Sequence, residues 1–150
     1  MKNFSILLII TLTALSCYSQ KRTVNHSSNL EIVKSTYEEN SNTLQKYLAE
    51  DATWTEAKGF PYGGTYTGYD EVVTNIFSKI GTEWTGFKFN VEDYVASDDK
   101  VIAFGTYSGT YKKTNKSFTA RVSHIWKLKD GKIINFEQIV DSKPVVDAMQ

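Results

Sequence analysis

Two residues in the last quarter of the chain interrupt an apolar pattern at places where chemistry could use them. In the stretch SFTARVSHIWKLKDGKIINFEQIVD, residues 117–141, the side chains of Phe118, Ala120, Val122, His124, Trp126 and Leu128 fall on one face of an extended chain. Thr119, Arg121, Ser123, Ile125 and Lys127 fall on the other. His124 is the polar exception on the apolar face. In the return arm Ile134, Phe136, Gln138 and Val140 form the matching set, with Gln138 as the exception. An unsatisfied buried polar group costs about 1 to 3 kcal/mol, so these two side chains must bond each other, a ligand or water. A histidine so placed can donate to a developing oxyanion or shuttle a proton; it can equally be a satisfied core histidine bonded to Gln138 or to a buried tyrosine. Gln138 does not titrate, so it can only orient or bind.

Other site chemistries fit poorly. The chain has two histidines, His26 in a polar stretch and His124, one cysteine, and no HxxxH or HxH spacing, so neither a metal site nor any other cofactor is expected. Lysine and arginine balance aspartate and glutamate at 17 each, and no basic run offers an electrostatic footprint for nucleic acid. Lys112, Lys113 and Lys116 are the densest basic patch, and they flank a turn. Aromatic residues make up 13% of the chain. Trp54, Phe60, Tyr62, Tyr66, Trp126 and Phe136 are core by default, but such rings also line pockets for flat apolar ligands.

The elements that must position these residues follow from periodicity. Asp130-Gly131 is a tight-turn dipeptide between runs rich in β-branched and aromatic residues, which predicts a hairpin. Residues 84–96 alternate, 97–100 turn, 101–111 run back and 112–116 turn again, giving a four-stranded antiparallel meander. Upstream, Leu30, Val33 and Tyr37 have helical spacing, Leu44, Tyr47 and Leu48 form a second short helix ending near Asp51, and residues 52–56 read as extended. A glycine-rich loop from Gly59, studded with Phe60, Tyr62 and Tyr66 and stopped by Thr67-Gly68, precedes a third helix carrying Val72, Val73, Ile76, Phe77 and Ile80 and ended by Gly81. Residues 144–149 suit one closing helical turn. The order predicts an α+β fold, three N-terminal helices covering one face of a curved antiparallel sheet.

The first nineteen residues, with Lys2 ahead of an apolar run from Phe4 to Leu15 and small residues after it, read as an export signal. Cleavage after Ser19 is one outcome. A lipobox at Ala14-Leu15-Ser16-Cys17, leaving Cys17 acylated, is the other, and that lipid is the one membrane attachment expected. The expected location is accordingly periplasmic or secreted, with anchoring as a lipoprotein through Cys17 in the second case. Residues 20–28 form a polar linker and residues 29–150 a single domain, which holds no internal disulfide because Cys17 is the only cysteine.

The phrases LAEDATWTEAKGFPYGGTYTGYDEVV and ARVSHIWKLKDGKIINFEQIVD resemble the SnoaL-like polyketide cyclases and ketosteroid-isomerase-like proteins of the nuclear transport factor 2-like superfamily. The resemblance covers about residues 29–149. It implies a cystatin-like cone, a bent antiparallel sheet wrapped on three helices around an apolar cavity. It also implies residue roles. Glu56 stands where the isomerases carry the aspartate that removes a proton next to a carbonyl, and burial beside Trp54, Phe60 or Tyr62 would raise its pKa toward working pH. His124 stands where those enzymes hold a neutral aspartic acid against the enolate oxygen. Their helix-1 tyrosine aligns with Ile32, Tyr37 lying about one turn on. Gln138 replaces the aspartate that SnoaL-type cyclases use as base. Asp141 is either a cap for the closing turn or an acid at the cavity mouth.

Because both hairpin carboxylates of the relatives are replaced, the leading expectation is an exported domain binding a small apolar or aromatic molecule in a cone-shaped cavity. A cofactor-free proton-transfer enzyme of isomerase, cyclase or lyase type, with Glu56 as base and His124 as partner, is the alternative. A dimeric interaction module is the third. Ile102, Phe104, Ile125, Ile133 and Ile139 interrupt the polar pattern of the outer sheet face, which with the family analogy points to a homodimer through that face.

Overall fold

The computed structural model describes residues 29–38 and 42–150; the export segment, Cys17 and the linker with His26 lie outside them. The described chain runs α1 (29–35), α2 (Thr43–Tyr47), β1 (Leu48–Glu56), β2 (Gly64–Thr67), α3 (Gly68–Val72), a π-helical segment (Val73–Phe77), α4 (Ser78–Glu83), β3 (Trp84–Ser97), β4 (Lys100–Tyr111), β5 (Lys116–Lys129), β6 (Lys132–Val140) and α5 (Ser142–Ala148). The fold is α+β, as the periodicity predicts.

Turn chemistry fixes the meander. Each hairpin turn holds a residue in the left-handed region, Asp98 at φ 42°, Asn115 at 57° and Asp130 at 51°, and the last is followed by Gly131 at 76°. Asn and Asp tolerate that region, and two successive positive φ values suit the right-handed strand twist. Long strands must also bend to wrap a core. The β3–β4 ladder slips between Val91 and Asp93, and there Gly105 faces β3 so closely that a Cβ would lie 2.1 Å from the Asn90 carbonyl oxygen. Glycine at 105 therefore permits the bulge that curves the sheet.

The sheet has six strands in the order β2-β1-β6-β5-β4-β3, two more than the meander. β1 pairs antiparallel with β2 and parallel with β6. This corrects the reading of residues 48–51 as helix and of 64–67 as loop. Leu48 pairs with Ile133, so the partner strand draws the chain out of α2 after Tyr47. A second correction concerns β6. A bulge between Lys127 and Leu128 places Ile133 opposite Leu128, so Ile133, not Ile134, is the fully buried residue there. The third helix passes Gly81 and reaches Glu83.

The concave face carries the core. Val33 from α1, Val72 and Ile76 from the helical segments, Val101, Trp126, Leu128, Ile133 and Phe136 from the sheet, and Val145 from α5 are all essentially inaccessible to solvent. α5 packs against β5 and closes one end.

Candidate active site

Glu56 is the last residue of β1. Buried residues alternate there, Ala52, Trp54 and Glu56 pointing inward, so the strand's own pleat aims a carboxylate into the apolar interior. Glu56 is 4% exposed. Its Oε1 accepts a hydrogen bond from Trp54 Nε1 at 2.7 Å, two residues back on the same face. Its Oε2 has no hydrogen-bond partner among the described residues. Burial pushes the carboxyl up to about 7, and the Trp54 N–H and the Gln138 side chain offset only part of that.

His124 faces the same interior from β5. It stands directly across from Gln138 on β6 and from Ala103 on β4. Ala103 and Gly105 carry little or no side chain, which leaves room beside the ring. Both imidazole nitrogens are occupied: Nδ1 lies 2.9 Å from the Tyr37 hydroxyl and Nε2 lies 2.6 Å from the Tyr107 hydroxyl. Burial pulls the imidazole down to about 3, so it is neutral at ordinary pH. Burial also raises both tyrosines well above their usual range, so each keeps its proton. The chain of bonds continues outward at both ends. Trp126 Nε1 donates to the Tyr37 oxygen at 2.8 Å. Gln138 Nε2 donates to the Tyr107 oxygen at 3.3 Å, and Gln138 Oε1 accepts from the backbone N–H of Ala57 at 3.3 Å.

Glu56, Gln138, His124, Tyr37 and Tyr107 share a cavity of about 250 Å³ with the rings of Trp54, Phe77, Phe87, Phe89, Trp126 and Phe136. Trp54 stacks on Phe136 with centroids 3.7 Å apart, and the edge of Phe77, from the π-helical segment, meets Trp54 at 5.8 Å. The extra residue per turn in a π segment often marks a functional wall; here it supplies Ile76 and Phe77 to the lining. Among the described residues, no three His, Cys, Asp or Glu side chains are grouped to hold a metal ion.

Of the residues singled out from sequence, Glu56, His124, Trp54, Trp126, Phe136 and Gln138 converge on this cavity. Phe60, Tyr62, Tyr66 and Asp141 do not line it. Phe60 and Tyr62 pack edge to face at 5.5 Å. The Tyr62 hydroxyl donates to Glu83 Oε2 at 2.7 Å and accepts from Trp84 Nε1 at 2.8 Å, while the Tyr66 hydroxyl donates to the Tyr62 carbonyl. These aromatics clamp the 57–64 loop to the end of α4. Asp141 caps α5, accepting from the Lys143 N–H. Sequence reasoning missed the roles of Tyr37 and Tyr107. A signal for Tyr107 existed in the alternation Val101, Ala103, Gly105, Tyr107, which places it on the inner face; for Tyr37 it was the helical spacing from Leu30 and Val33.

A family model described as SnoaL-like domain matches residues 36–136. Among solved structures, the chain is similar to an NTF2-like protein from Burkholderia thailandensis, with 40% identity, 81% of this chain and 97% of that one covered, and a TM-score of 0.78. It is also similar to an NTF2-like protein of unknown function from Burkholderia pseudomallei, with 23% identity, coverage of 82% and 98%, and a TM-score of 0.74. A third is a hypothetical protein with ketosteroid isomerase-like fold from Catenulispora acidiphila, in complex with trimethylamine, at 17% identity, 79% and 91% coverage, and TM-score 0.67. Among curated proteins none matches.

Proposed function

This chain belongs to the SnoaL-like domain family, and we propose that within it the cavity catalyses cofactor-free proton transfer on a small carbonyl compound, with Glu56 as the base. The observation that carries this reading is the Oε2 atom of Glu56, a buried carboxylate oxygen on the cavity wall without a partner. An orphaned carboxylate destabilises the fold, and a pocket that only bound apolar rings would have no use for one. In the reaction, Oε2 takes a hydrogen from the carbon next to the substrate carbonyl. The C–H electron pair forms the new C=C bond, and the carbonyl π pair moves onto oxygen. When the Glu56 carboxyl trades that proton for one from solvent before returning it to the same carbon, the result is exchange; return to a conjugated carbon gives isomerisation. A carboxyl titrating near 7 is matched to both halves of that cycle.

The test is deuterium exchange into 2-tetralone, a two-ring enolisable ketone, followed by NMR. The native protein is expected to accelerate loss of the α-hydrogen signals, with a rate that rises with pH through about 7. Glu56→Gln is expected to lower that rate by roughly 10² to 10⁴. Equal rates in the two proteins would overturn Glu56 as base. They would favour the second reading, a binding protein without turnover, which the full hydrogen bonding of His124 supports.

The proposal extends to assembly and location. Val95, Ile102 and Ile125 sit side by side on three adjacent strands, and Val95 and Ile139 are more than half exposed on the outer face. These residues support a homodimer through that face, which Ile139→Asp should convert to monomer in analytical ultracentrifugation. Export, with or without acylation at Cys17, is read from the N-terminal sequence and is tested by mass spectrometry of the mature protein.

A further inference from the structure

Charge in the cavity does not balance. Glu56 is the one carboxylate in the lining, and Lys88, the one lysine there, is exposed on β3. None of the ion pairs among the described residues includes Glu56. Its Oε2 is bare in either protonation state: the ionised carboxylate finds no donor there, and the neutral acid would find no acceptor for its O–H. The groups opposite are bonded among themselves. Tyr37 and Tyr107 hold the two nitrogens of His124, and Gln138 Oε1 holds the Ala57 N–H.

The walls beside that carboxylate are aromatic and stand at right angles. Trp54, tied to Oε1 through its own N–H, lies at 90° to Phe77 and at 85° to Trp126. Phe136 backs Trp54 as a stacked ring. Farther along the cavity, Phe89 lies at 80° to Tyr107. Rings so arranged are the sides of a box. Each ring face carries partial negative charge, so a box of rings around a carboxylate attracts a cation on two counts, by ion pairing and by the ring quadrupoles.

We propose that the cavity is a binding site for a small alkylated ammonium ion, tertiary or quaternary, with the Glu56 carboxylate as its counter-ion and the rings of Trp54, Phe77 and Trp126 as its cage. Hydrogen-bond counting selects alkylation. A primary ammonium brings three N–H donors to one free acceptor, Oε2, and strands the other two among rings. A tertiary ammonium brings one and a quaternary ammonium none, and their alkyl groups give the rings apolar surface to cover. Size follows from volume. A cavity of about 150 Å³ holds one benzene, so 250 Å³ suits roughly ten non-hydrogen atoms on that scale. This binding uses the same oxygen as the proton-transfer reading but requires no reaction; a bound cation occupies the base and excludes the carbonyl substrate.

The experiment titrates phenyltrimethylammonium against tert-butylbenzene, its uncharged isostere, and follows the indole N–H signals of Trp54 and Trp126 by NMR. At pH 8.5 the native protein is expected to prefer the cation by about tenfold or more. The probe's charge is fixed, so its pH dependence reports the protein. With Glu56 ionising near 7, its affinity should rise by roughly 30-fold from pH 5.5 to 8.5, and that of the isostere should not rise. The other groups facing Glu56 hold their charge across that window. Tyr37 after α1, Tyr66 on β2 and Tyr107 on β4 keep their protons, His124 on β5 stays neutral, and Lys88 is a solvated cation. Glu56→Gln should bring the two affinities together while leaving tert-butylbenzene within about threefold, which also shows that the pocket remains folded. Benzylammonium, a primary ammonium, should bind about tenfold more weakly than phenyltrimethylammonium. Equal affinity for cation and isostere, a cation affinity that does not rise with pH, a preference that survives Glu56→Gln, or benzylammonium bound as tightly would each overturn the proposal. Failure of the base reading is separate: 2-tetralone exchange that persists in Glu56→Gln removes Glu56 as base and leaves the cation preference to be judged by itself.

Discussion

The two polar walls of the cavity are built on opposite terms. On the His124 wall both ring nitrogens, both tyrosine oxygens and both ends of the Gln138 amide have partners. On the Glu56 wall a carboxylate is buried to the same depth with one oxygen bonded and one bare. Burial moves the two groups in opposite directions, the carboxyl up to about 7 and the imidazole down to about 3. Desolvation opposes charge in both cases, so each is driven toward its neutral form. The difference lies in what remains to be satisfied. The histidine wall is complete and holds its shape, and the glutamate wall is incomplete and available to a substrate.

The largest effect that could break this contrast is kinetic. Glu56→Gln keeps the shape and the Trp54 bond but cannot accept a proton, so the exchange rate should fall by roughly 10² to 10⁴, and the dependence on pH around 7 should vanish with it. A pH profile that survives the substitution would place the base elsewhere.

Next in size is His124→Phe. An aromatic ring is kept, but the Tyr37 and Tyr107 hydroxyls each lose a hydrogen-bond partner. With one to two buried groups stranded, unfolding free energy should drop by about 2 to 4 kcal/mol, measured by urea denaturation at pH 8. No loss would show that water or a second arrangement satisfies the tyrosines, and the wall would not be the closed unit described.

The third effect has the opposite sign. An unfolded Glu56 titrates near 4.5 and the folded one near 7. Between those values the unfolded chain has released its proton while the folded chain keeps it, so this residue removes stability as pH rises and its full penalty is reached above 7. Two and a half units correspond to about 3 kcal/mol, and the orphaned amide hydrogens of the glutamine reduce what can be recovered, so Glu56→Gln should gain about 2 kcal/mol at pH 8 and little at pH 4.5. His124 works the other way. With its folded value depressed to about 3 from 6.5, its contribution is present above 6.5 and is lost as pH falls toward 3. In the native protein the two trends oppose each other between 4.5 and 6.5; in Glu56→Gln only the acid loss remains. A variant that is destabilised at every pH would mean that Glu56 is held by contacts it does not make here.

Much of this contrast was legible in the sequence. Strict alternation with one polar exception per arm placed His124 and Gln138 on the inner face, and the structure sets them directly opposite each other. The family resemblance pointed to Glu56. The partners were harder, because a hydrogen bond from His124 to Tyr37 spans 87 residues and no local pattern encodes a contact of that range. The same reason hid the first half of β1, read as helix, and its parallel pairing with β6, which is non-local, whereas every strand of the meander announced itself by a turn. The loop aromatics misled for a different reason. Phe60, Tyr62 and Tyr66 looked like pocket walls, but Glu83 and Trp84, the partners that claim Tyr62, lie 21 and 22 residues away.

The smallest expected effect tests where the complete wall ends. Gln138→Leu removes a donor to Tyr107 and the acceptor of the Ala57 N–H, both at 3.3 Å. Neither bond touches the links from the imidazole to the Tyr37 and Tyr107 hydroxyls. The cost should therefore be that of one stranded backbone N–H, about 1 to 2 kcal/mol by urea denaturation. A loss as large as that of His124→Phe would show that Gln138, not the His124 ring, holds this wall together. It would also move the boundary between the two walls from Tyr107 to Ala57, the residue that follows the base.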